Sequence, residues 1–535
     1  MSRPPMSTAP SPTSVQQALA AAIEHHRAGR LALAEVGYRQ VLAADDTSAE
    51  TWSNLGFCLI QQRDPHRAES ACRRAIELNP KLANAHANLA NALMRQARVD
   101  EAIAALRTAI GLNPNLRVAH ENLLVAMNYR PTHTPHDVYA EHVAWAQRHA
   151  NHLGDDAPPH ANDRDESRRL RIGYVSPDFR RHSVAFFIGP LLAAHDREQV
   201  EIFCYSDVEQ PDDTTARIQQ LAEHWRDCRS IADDRLAQIV RDDRIDILID
   251  LAGHTAGNRL LAFARRPAPV QVTYLGYPNT TGMAAMDYRI TDALADPPGL
   301  TDAFHTVQLI RLPRSAWCYR PPAEAPRVAD APPSVSAGHV TFGSFNKLAK
   351  ISPSCLDAWA ELLRMTPGSR MIIKSTALGD ATLRQRLATE FAARHVAAGR
   401  VDILGPIAAT FEHLAMYARV DVALDTFPYH GTTTTCDALW MGVPVVTLAG
   451  QTHVSRVGVS LLHAVGLDDL VAQTPQQYVE AASQLAGDAL KLRQLRSDLR
   501  GRMKSSPLMD ASSLAREIES AMRLAWQRWW GSAAT

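Results

Sequence analysis

The stretch LDTFPYHGTTTTCDALWMGVPVVTL, residues 424–448, reads as the centre of a strand–helix–strand unit. The apolar run at 420–424 predicts a buried strand, Pro428 and Gly431 a turn, the residues behind four threonines a helix, and 443–448 the next strand. The N–H groups of a first helical turn have no partner within the helix, and the positive end of its dipole favours an anion. Thr432, Thr433, Thr434 and Thr435 add hydroxyl donors at that end, so with Gly431 the run predicts a cradle for a diphosphate. The plainer reading is helix capping, for which one threonine is enough.

Strands and helices alternate on both sides of this unit. Strands expected at 339–342, 371–374, 401–404, 420–424 and 443–448 define one parallel-sheet domain over 336–505. Strands expected at 170–175, 200–205, 245–249 and 270–275, with helical stretches such as 218–225 and 234–240, define another over 169–325. Ligands of such sheets bind beyond the carboxyl ends of the strands, so the loops there carry the candidates. In the first domain these are SPDFRRHS with His182, DLAGHTAG with His254, and GYPNTTG with Tyr277 and Pro278. A loop histidine is a general base or simply a structural residue. In the second domain GSFNKLAKISPS offers Lys347 and Lys350, ammonium groups for a phosphate or ordinary exposed lysines. Neither a G-x-x-x-x-G-K-[ST] loop nor a G-x-G-x-x-G fingerprint occurs, which argues against a P-loop ATPase and an NAD-dependent dehydrogenase.

Before the sheets lies a repeat of period 34. Ala34, Ala68 and Ala102 form one series, Leu42, Ile76 and Ile110 another, and Leu78 and Pro80 recur as Leu112 and Pro114. That is the mark of tetratricopeptide helix pairs, which bury their faces by stacking into an α-helical solenoid, here over 15–127. Asn54, Asn88 and Asn122 share the period, and their amides are suited to hold an extended peptide backbone or to bond between repeats. Residues 1–14 read as a disordered head and 128–168 as a linker holding a helical piece at 136–149. Asp163 and Asp165 in that linker form an Asp-x-Asp pair of metal-binding type, read here as a solvated loop. At the other end, Leu514, Ile518, Met522, Trp526 and Trp529 share a face of a helix within 506–535 that must pack back on the sheet domains, with Asp510 as its cap.

Composition narrows the partners. With 56 Lys and Arg against 57 Asp and Glu in 535 residues, neither nucleic acid nor a membrane surface is expected to bind. Cys58, Cys72, Cys204, Cys228, Cys318, Cys355 and Cys436 are scattered without CxxC spacing, which points to a reducing compartment and away from structural zinc. No apolar run approaches a membrane span and the start has no apolar signal core, so a soluble cytoplasmic protein is expected.

Two Rossmann-like domains, a diphosphate cradle in one and histidines in the loops of the other suggest a nucleotide-sugar transferase of the GT-B type. The sequence here resembles the protein O-GlcNAc transferases, through YVSPDFRRH, RPAPVQVTYLGYPNTTG followed by MDYRITD, SFNKLAKI, HLAMYARVDVALDT, GTTTTCDALWMGVP and SRVGVSLL. The resemblance implies that Lys350 stabilises the leaving diphosphate, that His413 lies against a uracil also read by backbone near Ala408, and that Thr433 and Thr434 hold the phosphates. It also implies that Asp437 is near the ribose, that the general base is His182, or else His254 in a second loop near the acceptor or the donor's own phosphate, and that the asparagine series binds peptide. Departures from the animal enzymes are Lys347 in place of glutamine, Thr432 in place of histidine and Thr410 in place of lysine, and there is no insert between the lobes. The TTTTCDALWMG form is equally similar to the plant SPINDLY branch, which uses a guanosine nucleotide of fucose. The expected activity is therefore an inverting, metal-independent transfer of GlcNAc from UDP-GlcNAc to Ser or Thr of proteins recruited by the solenoid, with no cofactor. The alternatives are a donor such as GDP-fucose or UDP-glucose, and a scaffold that binds nucleotide without turnover.

Overall fold

The computed structural model describes residues 12–165 and 167–532, which divide after Met127 into two compact units. The head expected to be disordered lies outside the described residues except for 12–14, which open the first helix. The first unit consists of α1 (Pro12–Arg27), α2 (Leu31–Ala44), α3 (Ala49–Gln61), α4 (Pro65–Leu78), α5 (Ala83–Arg95), α6 (Val99–Leu112) and α7 (Arg117–Met127). The periodic alanines explain how tightly these helices stack: Ala34, Ala68 and Ala102 have no exposed surface, and each sits where a larger side chain would force neighbouring helices apart. At Gly56 the packing is closer still, since a Cβ there would lie 2.4 Å from Cys72 Sγ. Asp64 caps α4 by accepting from Arg67 N at 3.1 Å, with Pro65 as its first residue.

The second unit holds two parallel sheets. The first is built from β1 (Leu170–Ser176), β2 (Val200–Ser206), β3 (His224–Asp227), β4 (Ile247–Asp250), β5 (Val270–Thr273), β6 (Tyr288–Asp292) and β7 (Gln308–Leu312), in the order β3-β2-β1-β4-β5-β6-β7. The second is built from β8 (Thr341–Ser344), β9 (Arg370–Lys374), β10 (Val401–Leu404), β11 (Val422–Leu424), β12 (Val445–Leu448) and β13 (Val471–Ala472), in the order β10-β9-β8-β11-β12-β13. Strand order therefore reverses between β1 and β4 in one lobe and between β8 and β11 in the other, and the crevices at these reversals are where ligands of open α/β sheets bind.

Two sequence expectations change here. The helix expected at 218–225 ends early: a helix covers Asp213–Gln219, and His224–Asp227 is the edge strand β3, paired with Phe203–Ser206. Ile218 and Leu221 gave the helical spacing, but the free edge of β2 supplies hydrogen bonds that a continued helix would leave unmade. Within the stretch read as a linker, Thr134 opens α8 (Pro135–His149) with a reciprocal capping box, and Trp145 of this helix is fully buried in the first lobe. The C-terminal helix Ala511–Ser532 lays Leu514, Ile518, Met522 and Trp526 into the core of the first lobe, and Asp510 Oδ1 caps it by accepting from Ser513 N at 3.1 Å. Among the described residues no helix is long and apolar enough to cross a membrane.

Candidate active site

The loop after β11 is shaped by a buried carboxylate. Asp425 Oδ1 accepts from Gly431 N at 2.7 Å and Thr426 N at 2.9 Å, while Oδ2 accepts from the Thr447 hydroxyl at 2.9 Å. These bonds fold residues 425–431 back on themselves and deliver the chain to the helix Thr433–Trp440, whose first turn has no side-chain cap. Its N–H groups and dipole are thus open towards the crevice between β8 and β11. Gly431 is required at this point: a Cβ would meet Asn346 Oδ1 at 2.9 Å and Thr435 Oγ1 at 3.1 Å. Two buried polar atoms at the cradle, Asn346 Oδ1 and Thr433 Oγ1, have no hydrogen-bond partner. Such atoms are costly unless something else completes them. Gly431, Thr432, Thr433 and Thr434 occupy the helix start as the sequence predicts.

Lys350, from the loop after β8, reaches the same place. Its Nζ donates to the His430 carbonyl at 2.6 Å and lies 4.1 Å from the centre of the Tyr429 ring, a cation–π contact. Burial and the neighbouring Lys347 charge lower its pKa to about 7, only partly offset by Asp425. His430 is itself buried and neutral: Nδ1 accepts from Gly458 N at 3.0 Å, which leaves Nε2 to donate to the Leu448 carbonyl at 2.8 Å. Tyr429 stacks on Tyr129, with ring centres 4.9 Å apart, so the segment just before α8 forms part of this wall.

Beyond the cradle, a cavity of about 270 Å³ is lined by Phe345, Asn346, Lys347, Lys374, Ile407 and His413, among others. Ala408 follows Ile407 on the exposed rim. Lys374 Nζ lies 2.5 Å from His413 Nδ1, and burial lowers the lysine to about pKa 8. The other imidazole nitrogen of His413 faces Asp437 Oδ2 at 3.9 Å, and Asp437 Oδ1 accepts from the Tyr319 hydroxyl at 2.5 Å. Burial and the adjacent carboxylate push the Tyr319 phenol well up, so it remains a donor. The sequence reading missed Lys374 and Tyr319. A lysine closing the otherwise apolar strand RMIIK was a visible signal for the first; nothing local marked the second, which arrives from the other lobe.

On the first lobe His182 stands in the loop after β1, with Nδ1 3.4 Å from Asp178 Oδ2. Burial lowers its pKa against the pull of Asp178, and the Arg180 and Lys347 charges lower it further. Lys347 belongs to the second lobe, so His182 faces the cleft between the two. His254, Tyr277 and Pro278 do not line the cleft in the way the sequence suggested. His254 is 2% exposed, bonds the Thr281 carbonyl through Nε2 at 2.9 Å and packs edge-on against Trp145 of α8 at 4.5 Å. The Tyr277 hydroxyl is buried against Asn128 Nδ2 (3.0 Å) and His142 Nε2 (2.8 Å), with Pro278 beside it half-buried. The physical reason is α8: once this helix covers the loops after β4 and β5, their side chains become core.

In the helical unit Asn88 Nδ2 donates to the Ser53 carbonyl at 3.2 Å, and Asn122 Nδ2 to Asn91 Oδ1 at 2.9 Å. Two of the three periodic asparagines thus bond between neighbouring helices, while Asn54 stays half-buried on the same face. Asp163 and Asp165 are exposed and spend their carboxylates on local turns, accepting from Asp165 N and Ser167 N.

Buried polar contacts hold the lobes together away from the cradle. His453 Nδ1 lies 2.6 Å from Asp296 Oδ2, Ser460 donates to Asp292 Oδ2 at 2.5 Å, and Arg456 Nε donates to the Leu294 carbonyl at 2.9 Å.

Residues 119–317 and 333–518 match the family model of glycosyl transferase family 41, and 59–123 match a tetratricopeptide repeat model. The chain is 45% identical over 410 residues to a protein of Solanum lycopersicum named probable UDP-N-acetylglucosamine–peptide N-acetylglucosaminyltransferase SPINDLY, an alignment covering 76% of this chain and 44% of that one. It is 34% identical over 375 residues to the probable transferase SEC of Arabidopsis thaliana, covering 67% and 37%. The chain thus spans less than half the length of these curated relatives. A solved structure of a mutant Thermobaculum terrenum O-GlcNAc transferase superposes with a TM-score of 0.90 at 39% identity, covering 97% of this chain and 99% of that one.

Proposed function

The chain belongs to glycosyl transferase family 41, and on that footing we propose that it transfers GlcNAc from UDP-GlcNAc to serine or threonine hydroxyls of proteins, with inversion and without a metal. The observation that carries this reading is the meeting of Lys350 with the uncapped helix start at the β8/β11 crevice, beside the partnerless Asn346 Oδ1 and Thr433 Oγ1. A diphosphate supplies acceptor oxygens for the ammonium, the helix N–H groups and the Thr433 hydroxyl, while Asn346 Oδ1, itself an acceptor, is left for a hydroxyl of the ligand.

In the proposed reaction the acceptor oxygen attacks the anomeric carbon while the bond from that carbon to the diphosphate oxygen breaks. Charge then grows on the diphosphate, where Lys350 and the N–H groups of Thr433 and Thr434 compensate it. His182 takes the hydroxyl proton; its lowered pKa keeps the imidazole neutral and able to accept it at pH 7. Asp437 holds the ribose and His413 the base, with the backbone near Ala408 at the rim. Asn54, with the amide atoms of Asn88 and Asn122 that the bonds between helices leave over, holds the acceptor peptide. His254 has no part in the chemistry because it is enclosed by Trp145 and Tyr277.

A second reading, transfer from a guanosine diphosphate sugar such as GDP-fucose, rests on the resemblance of the TTTTCDALWMG stretch to the SPINDLY branch alone, since the SPINDLY and SEC relatives are both named as UDP-N-acetylglucosamine transferases. Calorimetric titration with UDP, GDP and their sugars, followed by transfer of radiolabelled sugar to protein, decides between them. UDP binding with GlcNAc transfer supports the first reading. GDP binding with fucose transfer replaces it, and nucleotide binding without transfer of any sugar leaves a scaffold.

The pH dependence of binding tests the cradle. UDP binds the protonated forms of Lys350, at the diphosphate, and of Lys374, at the base end, whose pKa values are lowered to about 7 and about 8. Affinity is therefore fully present below those values and lost as pH rises through them. UDP affinity is expected to fall between pH 7 and pH 9, and an affinity that is flat across that range would refute binding through these two ammonium groups.

A further inference from the structure

Lys374 has no task in the transfer chemistry. It is 6% exposed at the carboxyl end of β9, with Nζ 5.1 Å from the centre of the Phe345 ring and against His413 Nδ1. A buried ammonium costs free energy unless it is paired, and here its direct partner is a ring nitrogen rather than a carboxylate. An ammonium has three protons and no lone pair, so a ligand entering the cavity can meet it only with an acceptor.

Location fixes which part of the ligand this is. The diphosphate end is anchored by Lys350 and the Thr433–Trp440 helix start, and Asp437 lies in that same helix. The cavity beyond, walled by Phe345, Pro406 and Ile407, is left for the nucleobase. His413 Nδ1 accepts from Lys374, and its Nε2 faces Asp437 Oδ2 at 3.9 Å, so Lys374 is the donor left for the base end.

Building on the proposed function, we infer that Lys374 selects the nucleobase of the donor through the group at pyrimidine C4 or purine C6, admitting bases with a carbonyl oxygen there and rejecting those with an amino group there. Uracil and guanine share the carbonyl chemistry. Cytosine and adenine would set an amino donor against an ammonium donor, leaving both without a partner, the kind of mismatch by which polar sites discriminate strongly. Uracil and guanine differ in size rather than in this edge, so the titration separates them directly.

The test is calorimetric titration of the full chain with UDP, GDP, CDP, ADP and inorganic pyrophosphate, for the wild type, Lys374→Met and Lys374→Arg. The wild type is expected to bind UDP or GDP at least about tenfold more tightly than CDP and ADP. Lys374→Met is expected to erase that preference while leaving pyrophosphate affinity unchanged, and Lys374→Arg, which keeps the charge, to restore part of it. Equal binding of all four nucleotides by the wild type overturns the inference and leaves the diphosphate site standing. A loss of pyrophosphate binding in Lys374→Met as large as the loss of UDP also overturns it, by making Lys374 a phosphate ligand. Failure of the wild type to bind any nucleotide or pyrophosphate removes the proposed function and this inference with it. The selectivity of the wild type is itself a sufficient test if Lys374→Met does not fold.

Discussion

Lys350→Met is expected to lower the transfer rate by roughly 10²- to 10³-fold, the loss typical of removing one preorganised donor from developing negative charge. Methionine keeps the aliphatic stem against Tyr429 and removes only the ammonium, so packing around the cation–π contact survives. The His430 carbonyl loses its donor in a buried setting, at a cost of about 1–3 kcal/mol. The fold should therefore survive with a modest loss of stability while chemistry collapses. Because the charge on the diphosphate is greatest as the glycosidic bond breaks, kcat should fall much more than KM rises. Lys350→Arg is expected to recover little, since a planar guanidinium cannot reproduce a single short bond to His430 O above the Tyr429 face. Steady-state kinetics with saturating donor is the measurement. A Lys350→Met enzyme with turnover within threefold of wild type would remove Lys350 from the mechanism.

The second large effect belongs to a residue that never touches the ligand. Asp425→Ala is expected to destabilise the catalytic unit by several kcal/mol, because Gly431 N, Thr426 N and the Thr447 hydroxyl would each lose a buried acceptor, at about 1–3 kcal/mol apiece. Gly431 would then be released from its 2.7 Å bond, and the helix start would no longer be held against Asn346. UDP affinity in Asp425→Ala is expected to fall at least about tenfold, while the transition of the helical unit, which shares none of these bonds, stays where it was. Asp425→Asn is the milder control: its oxygen can keep both N–H bonds and its NH₂ can donate to the Thr447 hydroxyl, which also accepts, so the loop and UDP affinity are expected to survive far better than in Asp425→Ala. Unfolding by denaturant, followed in parallel with calorimetric titration, checks both parts. Wild-type UDP affinity in a folded Asp425→Ala protein would show that the cradle does not depend on this carboxylate.

How far the site was legible in the sequence depended on how each residue acquires its role. The threonine run and Gly431 act through the backbone of their own helix, so their meaning is local and could be read from order alone. Lys350 was readable as a lysine at a strand end. Its lowered pKa was not, because that comes from burial by Tyr429 and repulsion by Lys347. His182 and His254 looked alike in sequence, each a histidine in a strand-end loop. Only the covering of His254 by α8 separates the residue facing the cleft from the one in the core. Tyr319 and Tyr129 carried no signal, since each works on a partner far along the chain, Asp437 and Tyr429 respectively.

The sequence by itself determined the α-helical repeat, the two parallel-sheet lobes and the threonine-rich helix start. Period 34, strand–helix alternation and helix-terminal chemistry are each written within a short window of chain, and burial along that window follows from its own apolar pattern. Tertiary structure decided which loops remain open, which histidine stays accessible and where Lys374 points. Those properties depend on what packs over a residue, and in this protein the covering elements, α8 and the contacts between lobes, come from segments more than a hundred residues away.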